Sequence, residues 1–419
     1  MNYTQSLRYL NAFINLEKLN QLPKNAFFNL KRMAYFLQIA GHPEKKFFPI
    51  LIAGTTGKGS TGFFLESILK ANGMRVGYYH SPHIEDPRER IRVQGTMLSK
   101  KLWAEGLSEI HRLLEKKPLP LSLGVMTYFE VLTFLAILVF SKTGIQIGIF
   151  EIGLGGRLDA TNILKAPLVL LTPIHLDHEA FLGHTIAKIA AEKAGIIKPH
   201  NHVVIGWQSR EALPVICAAV RKNQGCLWKA KPVSHAAIGL AGAFQKKNAG
   251  MALKAAEILR RHFHFPICPK SSDQGLLSMN WKGRMETFRG YGREFILDGA
   301  HNPISAMQLV HEARNIPRKH PPWLIFGAMS DKNSRKMLEI LGGYFSGLIL
   351  VQIQNYRAKT LGNLIEETKG LFKYVLAAQN IKEAIRLFKT VSTSGSAALI
   401  TGSFYLVGEA RRILKHGSI

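Results

Sequence analysis

Acidic residues are scarce in this chain of 419 residues: 28 Asp plus Glu face 55 Lys plus Arg, a formal net charge of +27. Cysteine is scarcer still. Cys217, Cys226 and Cys268 are an odd number with no C-x-x-C pair, which argues against a disulfide framework or a zinc ribbon and points to a reducing compartment. Long apolar runs are missing as well. The most apolar stretch, Val131 to Phe140, is interrupted by Thr133 and stops at Ser141-Lys142. A membrane span needs roughly 20 apolar residues, so this stretch reads as a buried helix. The opening Met-Asn-Tyr-Thr-Gln has no basic region followed by an apolar stretch. No signal peptide is expected, and the chain reads as soluble and cytoplasmic.

The excess cations are also not gathered. No three Lys or Arg residues are adjacent, and the densest spots are pairs such as Lys246-Lys247, Arg260-Arg261 and Arg411-Arg412. Nucleic-acid tails show blocks of like charge, and stacking surfaces interleave aromatics with them. Neither pattern is present, which leaves a solvated basic surface or a basic funnel for polyanionic small substrates. With 47% hydrophobic and 20% charged residues, the composition excludes a disordered or fibrous chain.

What is present is alternation. Short apolar runs at Pro49–Ala53, Arg75–His80, Ile145–Phe150, Leu168–Thr172 and Val203–Gly206 read as strands, with helices at Tyr128–Phe140 and Thr185–Ile197 between them. Buried apolar strands separated by helices imply a parallel α/β sheet. A second series follows Trp281-Lys-Gly-Arg284, with strands expected at Glu294–Leu297, Trp323–Phe326, Leu348–Val351 and Ala397–Ile400. The first series is longer than one core usually sustains. This places a boundary near Phe288 to Gly292, with Tyr291-Gly292 as linker and domains at residues 1–288 and 292–419.

Gly54-Thr-Thr-Gly-Lys-Gly-Ser60 follows an expected strand and opens an expected helix. There, successive backbone N–H groups and a helix N-terminus make an anion cradle, and Lys58 supplies a point charge to phosphate. Ser60 or Thr61 offers a hydroxyl near a magnesium ion. The spacing departs from the general Walker pattern: Ile52 stands where its first glycine would be, and Gly59 follows the lysine in place of Ser or Thr. Downstream, Gly153-Leu-Gly-Gly-Arg157 mimics a dinucleotide fingerprint, but Leu158 occupies the third glycine position and Glu151 would face a pyrophosphate.

Glu151 ends a strand, where open α/β sheets collect ligands, and Asp177-His178 follows the next one. Glu151 and His178 suit a hard cation that bridges phosphates. They read equally as a strand-end glutamate and a loop histidine beside a helix-capping Asp177. His175, His178 and His184 lack a nearby cysteine and a helical register, which argues against zinc.

Further runs accompany this loop: Ser81-Pro-His83 with Glu89-Arg-Ile-Arg-Val93; Thr127-Tyr-Phe-Glu130; Glu151 through Asn162; Leu176-Asp-His178; and Glu192-Lys-Ala-Gly-Ile-Ile197. Later come Gly283-Arg284, Asp298-Gly-Ala-His-Asn-Pro303, Phe326-Gly-Ala-Met329 with Asp331-Lys332, and Gly402-Ser-Phe-Tyr405. In order and spacing, over almost the whole chain, these resemble the Mur-type amide ligases, particularly the bifunctional dihydrofolate synthase/folylpolyglutamate synthase family.

The resemblance implies an N-terminal P-loop ATPase domain with a parallel sheet and a smaller, Rossmann-like C-terminal α/β domain. It implies an ATP-dependent ligase that joins L-glutamate to dihydropteroate or to the glutamate tail of folates through an acyl phosphate. By the same resemblance, Thr55, Thr56, Gly57, Lys58, Gly59 and Ser60 cradle the ATP phosphates, and Asn248, Arg284, Asp298 and His301 complete the nucleotide site. Ser81, Glu151, His178 and Lys193 ligate two Mg²⁺ ions, Lys193 as a carbamate formed with CO₂. Lys58, Glu151, His178 and Lys193 are the catalytic set. Thr127, Phe129, Leu158, Asp159 and Ala160 hold the pterin, with Asp159 accepting from its amino-pyrimidine edge. Taken alone, Phe129 reads as core, Arg284 as a surface arginine, and Lys193 as a helix lysine paired with Glu192. The implied partners are small molecules alone, with no nucleic acid and no membrane, and the implied state is a monomer.

Some positions depart from the family pattern. Thr56 replaces a common Asn, Lys282 a common Pro, and Phe244-Gln245 a common His-Gln. The segment from Lys24 to Arg32, with Phe27 and Phe28, fits the family's substrate-contacting segment poorly. These changes bear on substrate preference rather than on phosphoryl chemistry. A peptidoglycan-precursor Mur ligase is the nearest alternative, but only about 50 residues precede the phosphate loop, less than a typical domain of about 100. A basic, nucleic-acid-dependent P-loop ATPase is the alternative of a different class.

Overall fold

The computed structural model describes residues 1–16, 29–234, 238–240, 242–278, 281–315 and 321–416. The chain forms two compact units. One comprises Met1–Ser81, Arg88–Gly239 and Gln245–Met279, and the other Pro82–Pro87, Leu240–Phe244 and Asn280–Ile419.

The first unit is built on an eight-stranded sheet. Its strands are β1 (Phe48–Ala53), β2 (Val76–Tyr79), β3 (Ile91–Val93), β4 (Thr96–Met97), β5 (Ile147–Glu151), β6 (Leu168–Leu171), β7 (His202–Ile205) and β8 (Cys226–Lys229). The order is β4-β3-β2-β5-β1-β6-β7-β8. Pairing is parallel from β2 to β8, and β3 and β4 add antiparallel. The helix Tyr128–Lys142 starts at a capping box, in which Thr127 and Glu130 bond each other's backbone N–H groups. Its residues Val131–Phe140 are all buried, as expected for a core helix. Each Val, Leu, Ile or Phe side chain among them contributes about 1.5–3 kcal/mol by leaving water. Among the described residues no helix is long and apolar enough to cross a membrane.

The second unit has six strands: β9 (Glu286–Gly290), β10 (Arg293–Leu297), β11 (Trp323–Phe326), β12 (Leu348–Val351), β13 (Val375–Ala378) and β14 (Ala397–Thr401). The order is β13-β12-β11-β14-β10-β9, with only β9 antiparallel. This corrects the expected boundary. Phe288 to Gly292 is no linker but the end and turn of the β9–β10 hairpin, with Phe288 opposite Phe295. Tyr291 and Gly292 both take positive φ (57° and 68°), the backbone of a tight hairpin turn. The division between the units falls at residues 279–280 instead. Two short early segments also belong here: Glu85 Oε1 lies 2.9 Å from Arg411 Nη1, and Glu312 Oε1 accepts from Ala243 N at 2.6 Å.

Candidate active site

The phosphate loop leaves β1 at Gly54, whose φ of +144° puts a notional Cβ 1.9 Å from Thr172 Oγ1, so no other residue fits. Gly57, at φ +83°, caps the helix Lys58–Ala71 and would bring a Cβ within 2.4 Å of Asn248 Oδ1. The loop is fastened to the exit of β6. Thr55 N and Thr56 N donate to Pro173 O at 2.9 and 3.3 Å, and Thr55 Oγ1 donates to His175 O and accepts from His175 N, both at 3.1 Å. The Thr55 and Thr56 amides therefore face the protein. The first-turn N–H groups of the helix, which have no intrahelical acceptor, supply the anion cradle. Lys58 Nζ folds over the loop, 3.1 Å from Gly54 O and 3.4 Å from Thr55 O.

Glu151 closes β5 and is buried, opposite Ile52 of β1. Tyr78, on the neighbouring β2, lies with its hydroxyl 3.0 Å from Gly59 O and 3.3 Å from Glu151 Oε2. One proton serves either acceptor, so Tyr78 ties the phosphate-loop helix to Glu151. Burial, with Glu151 adding to it, pushes the phenol well above its ordinary value, so it stays a neutral donor. Ser81 follows β2, and His178 follows β6 with φ +51° at the start of the short helix Glu179–Leu182. Strand exits flanking β1 and β5 thus carry Ser81 and His178 to the same edge of the sheet.

Lys193 is the most perturbed cation. It is buried on the helix Ile186–Ala194, and desolvation first, then the nearby Lys58 charge, push its ammonium down to about 7, against the pull of Asp177 and Asp159. Glu192 is not its partner: Glu192 Oε1 takes Arg157 Nη2 at 2.9 Å and Nε at 3.2 Å, on the outer face. The lysine of the phosphate loop and the buried helix lysine are therefore neighbours, an arrangement that makes sense only around anionic groups. Among the described residues no three of His, Cys, Asp and Glu are grouped to hold a metal. Glu151 and His178 need other donors. The Ser81 hydroxyl, and the oxygens of a carbamate were Lys193 to carry one, would complete an oxygen-rich set of the kind Mg²⁺ takes, whereas an ammonium has no lone pair to give. The residues fit the ion.

On the other flank, Thr127 is held by Glu130, whose Oε2 accepts from Thr127 N at 2.8 Å and Oγ1 at 3.0 Å. Glu130 is itself paired with Arg32 Nε at 2.9 Å, and both side chains are buried. Phe129 lies against Gly153, with its ring 5.8 Å from that of Tyr79. Leu158 is partly exposed and Ala160 buried. Asp159 is bonded within its own loop. Its Oδ2 accepts from Gly153 N and Leu154 N at 2.9 and 3.0 Å, and its Oδ1 from Thr161 N and Oγ1 at 3.0 and 2.6 Å. Its four hydrogen bonds close the 153–161 loop. Of the segment 24–32, residues 24–28 lie outside the described residues.

Asn248 belongs to the first unit, against Gly57, with Nδ2 donating to Gln245 Oε1 at 3.0 Å. The second unit gathers the rest. Asp298, at the end of β10, accepts from Met285 N at 3.1 Å and Ala300 N at 2.9 Å; burial raises its carboxyl although Arg284 opposes this. Arg284 lies over the Phe404 ring, 5.0 Å from its centroid. His301 Nδ1 donates to Gly299 O at 2.8 Å, which fixes its tautomer. Sequence reasoning missed Tyr78 and the Arg32–Glu130 pair, which carry no local spacing signal.

Residues 283–404 match the family model described as Mur ligase, glutamate ligase domain. The dihydrofolate synthase/folylpolyglutamate synthase of Bacillus subtilis is 31% identical, over 92% of this chain and 95% of that one. Folylpolyglutamate synthase from Thermotoga maritima superposes with a TM-score of 0.81 at 32% identity, covering 100% of this chain and 97% of that structure. E. coli FolC in complex with DHPP and ADP gives 0.84 at 25% identity, covering 100% and 99%. Fold and site together define a two-domain, ATP-dependent ligase of the Mur type. Within that class, the chain belongs to the dihydrofolate synthase/folylpolyglutamate synthase family.

Proposed function

We propose that this enzyme uses ATP to add L-glutamate to dihydropteroate, to the glutamate tail of folates, or to both. The observation that carries the reading is the buried Lys193, close enough to the phosphate-loop Lys58 to feel its charge, with Glu151 tied to the helix of the same loop through Tyr78. Lys58 and the amides of the first helical turn bind and orient the triphosphate. The γ-phosphoryl passes to the substrate carboxylate, giving an acyl phosphate. The glutamate amino group attacks that carbonyl carbon, inorganic phosphate leaves, and the amine gives up a proton. Ser81, Glu151, His178 and Lys193 as its carbamate would hold two Mg²⁺ ions, which would supply positive charge against the triphosphate's negative charge.

The depressed Lys193 supports the carbamate, because only a neutral amine adds to CO₂. Thr127, Phe129, Leu158 and Ala160 flank the pterin, and Asp159 shapes the loop that carries two of them. Asn248, Arg284, Asp298 and His301 complete the nucleotide site. The enzyme works as a cytoplasmic monomer on small molecules, without nucleic acid. ADP release measured with dihydropteroate, then tetrahydrofolate, each plus glutamate, tests the reading. Glutamate-dependent release is expected with at least one, and should be abolished by Lys58→Ala or Glu151→Ala. Release that ignores glutamate but responds to DNA or RNA would overturn it.

A further inference from the structure

The phosphate loop is fastened to a stretch of chain that has already left the sheet. β6 ends at Leu171 and β7 at Ile205, and Gly206 N donates the closing rung between them to Leu171 O at 3.2 Å. Beyond that rung, residues 172–178 run on as irregular chain. They carry the loop's anchors. Pro173 O takes the Thr55 and Thr56 amides at 2.9 and 3.3 Å, and His175 N and O both bond Thr55 Oγ1.

One side chain fixes this stretch from the β7 side. Gln208 Nε2 donates to Leu171 O at 3.0 Å and Thr172 O at 3.1 Å, and its Oε1 accepts from Ile174 N at 3.2 Å. Two carbonyls on one side and an N–H on the other determine which way the amide faces. A glutamine offers the donor and the acceptor of a peptide unit. Here it supplies the rungs that β7 would have made had it continued beside β6. Thr172 O and Ile174 N flank Pro173, so Gln208 sets the direction of the Pro173 carbonyl. Turning that carbonyl away would release two loop amides at once. The loop passes directly into Lys58 and the first turn of the helix Lys58–Ala71, so a displaced anchor displaces the cradle.

We infer that Gln208 is a positioning residue for the triphosphate, acting through Pro173 and Thr55 on the phosphate loop. The inference rests on the ATP-dependent reading above, and deepens it.

Calorimetric titration of the full-length protein with ADP and with pyrophosphate, beside steady-state kinetics, tests it. Gln208→Met keeps the volume and removes the amide's bonds to Leu171, Thr172 and Ile174. It should weaken ADP and pyrophosphate alike, about fivefold, and raise KM for ATP by a similar factor. KM for the pterin substrate should stay within about twofold. Gln208→Glu adds a pH signature. The introduced carboxyl, when protonated, donates to one carbonyl and accepts from Ile174 N; when ionised, it can donate to neither carbonyl. Its excess KM for ATP over wild type should therefore shrink about threefold between about pH 8 and about pH 5.5. If Gln208→Met fails to fold, that profile decides alone. Equal rises in KM for every substrate, or a lower melting temperature with unchanged ADP affinity, would mean packing only and overturn the inference. So would an ADP loss that spares pyrophosphate, or a Gln208→Glu profile parallel to wild type. A wild-type protein that binds neither ADP nor pyrophosphate would defeat the ATP-dependent reading itself, and the inference with it.

Discussion

Replacing Glu130 by Ala removes the carboxylate that faces Arg32 and holds Thr127. Side-chain exposures of 1% for Arg32 and 6% for Glu130 put this pair among the buried ones. Stripping one partner from such a pair costs about 3–5 kcal/mol, because the other charge stays desolvated. The lost capping box is included in the same change. For a unit this size each kcal/mol lowers the melting temperature by about 2–3 °C, so a fall of about 6–15 °C is expected in scanning calorimetry. The double variant Arg32→Met/Glu130→Leu replaces charge with apolar volume. It should regain more than half of the loss, since buried pairs are often neutral against such replacements. Thr127, however, loses its anchor in both variants. KM for the pterin substrate should rise about fivefold in both, the value of roughly one hydrogen bond, with KM for ATP unmoved. If the single losses simply add in the double variant, the charge-pair reasoning fails. If KM recovers along with stability, Glu130 does not position Thr127.

Other outcomes follow from the geometry. Tyr78→Phe unties Gly59 from Glu151 and should lower kcat about fivefold with KM for the pterin substrate unchanged; an unaltered kcat refutes the link. Lys193 is held near 7 when folded and near 10.5 when unfolded, so the unfolded chain binds the extra proton between those values. Stability should therefore rise with pH from about 7 to about 10, and Lys193→Met should flatten that slope. Activation by bicarbonate should likewise grow as pH passes 7, since the neutral amine is then dominant. Gly57→Ala forces a Cβ into left-handed backbone against Asn248 and should raise KM for ATP in steady-state kinetics; an unchanged KM refutes the fit of the loop.

The sequence was readable where structure is buried and local. β1, β5 and β6 lie inside a parallel sheet and so appear as unbroken apolar runs such as Ile50–Ala53 and Leu168–Leu171. The edges were illegible. β13 is half exposed, β8 is a four-residue edge strand, and the β3–β4 hairpin carries Arg92 in its middle. The Tyr291-Gly292 turn looked like a linker because tight turns and linkers share the same residues. In the site, Gly54 through Ser60 are contiguous, so their role shows in spacing. Arg32 and Glu130 are 98 residues apart, and Tyr78 and Glu151 are 73 apart, distances at which no pattern survives. At Asp159 the local bonding was hidden for a different reason. A carboxylate in a glycine-rich loop advertises acceptors, but only the folded loop reveals that its own amides fill them.

The salt link between Glu85 and Arg411 has a consequence for how the molecule is made. These residues are 326 apart in the chain, and Arg411 also holds Glu286 at 3.1 Å. On a ribosome, Glu85 emerges 326 residues before its partner, which follows only after the whole first sheet has been synthesised. Closing a loop that long costs about 2 kcal/mol more in chain entropy than closing one of about 30 residues. A contiguous fragment beginning at residue 280 would lack Glu85 and the 240–244 segment, and would leave Arg411 with one carboxylate in place of two. The C-terminal unit is therefore finished only after Arg411 has been made, and its first-made piece waits for most of the unit before it finds its place.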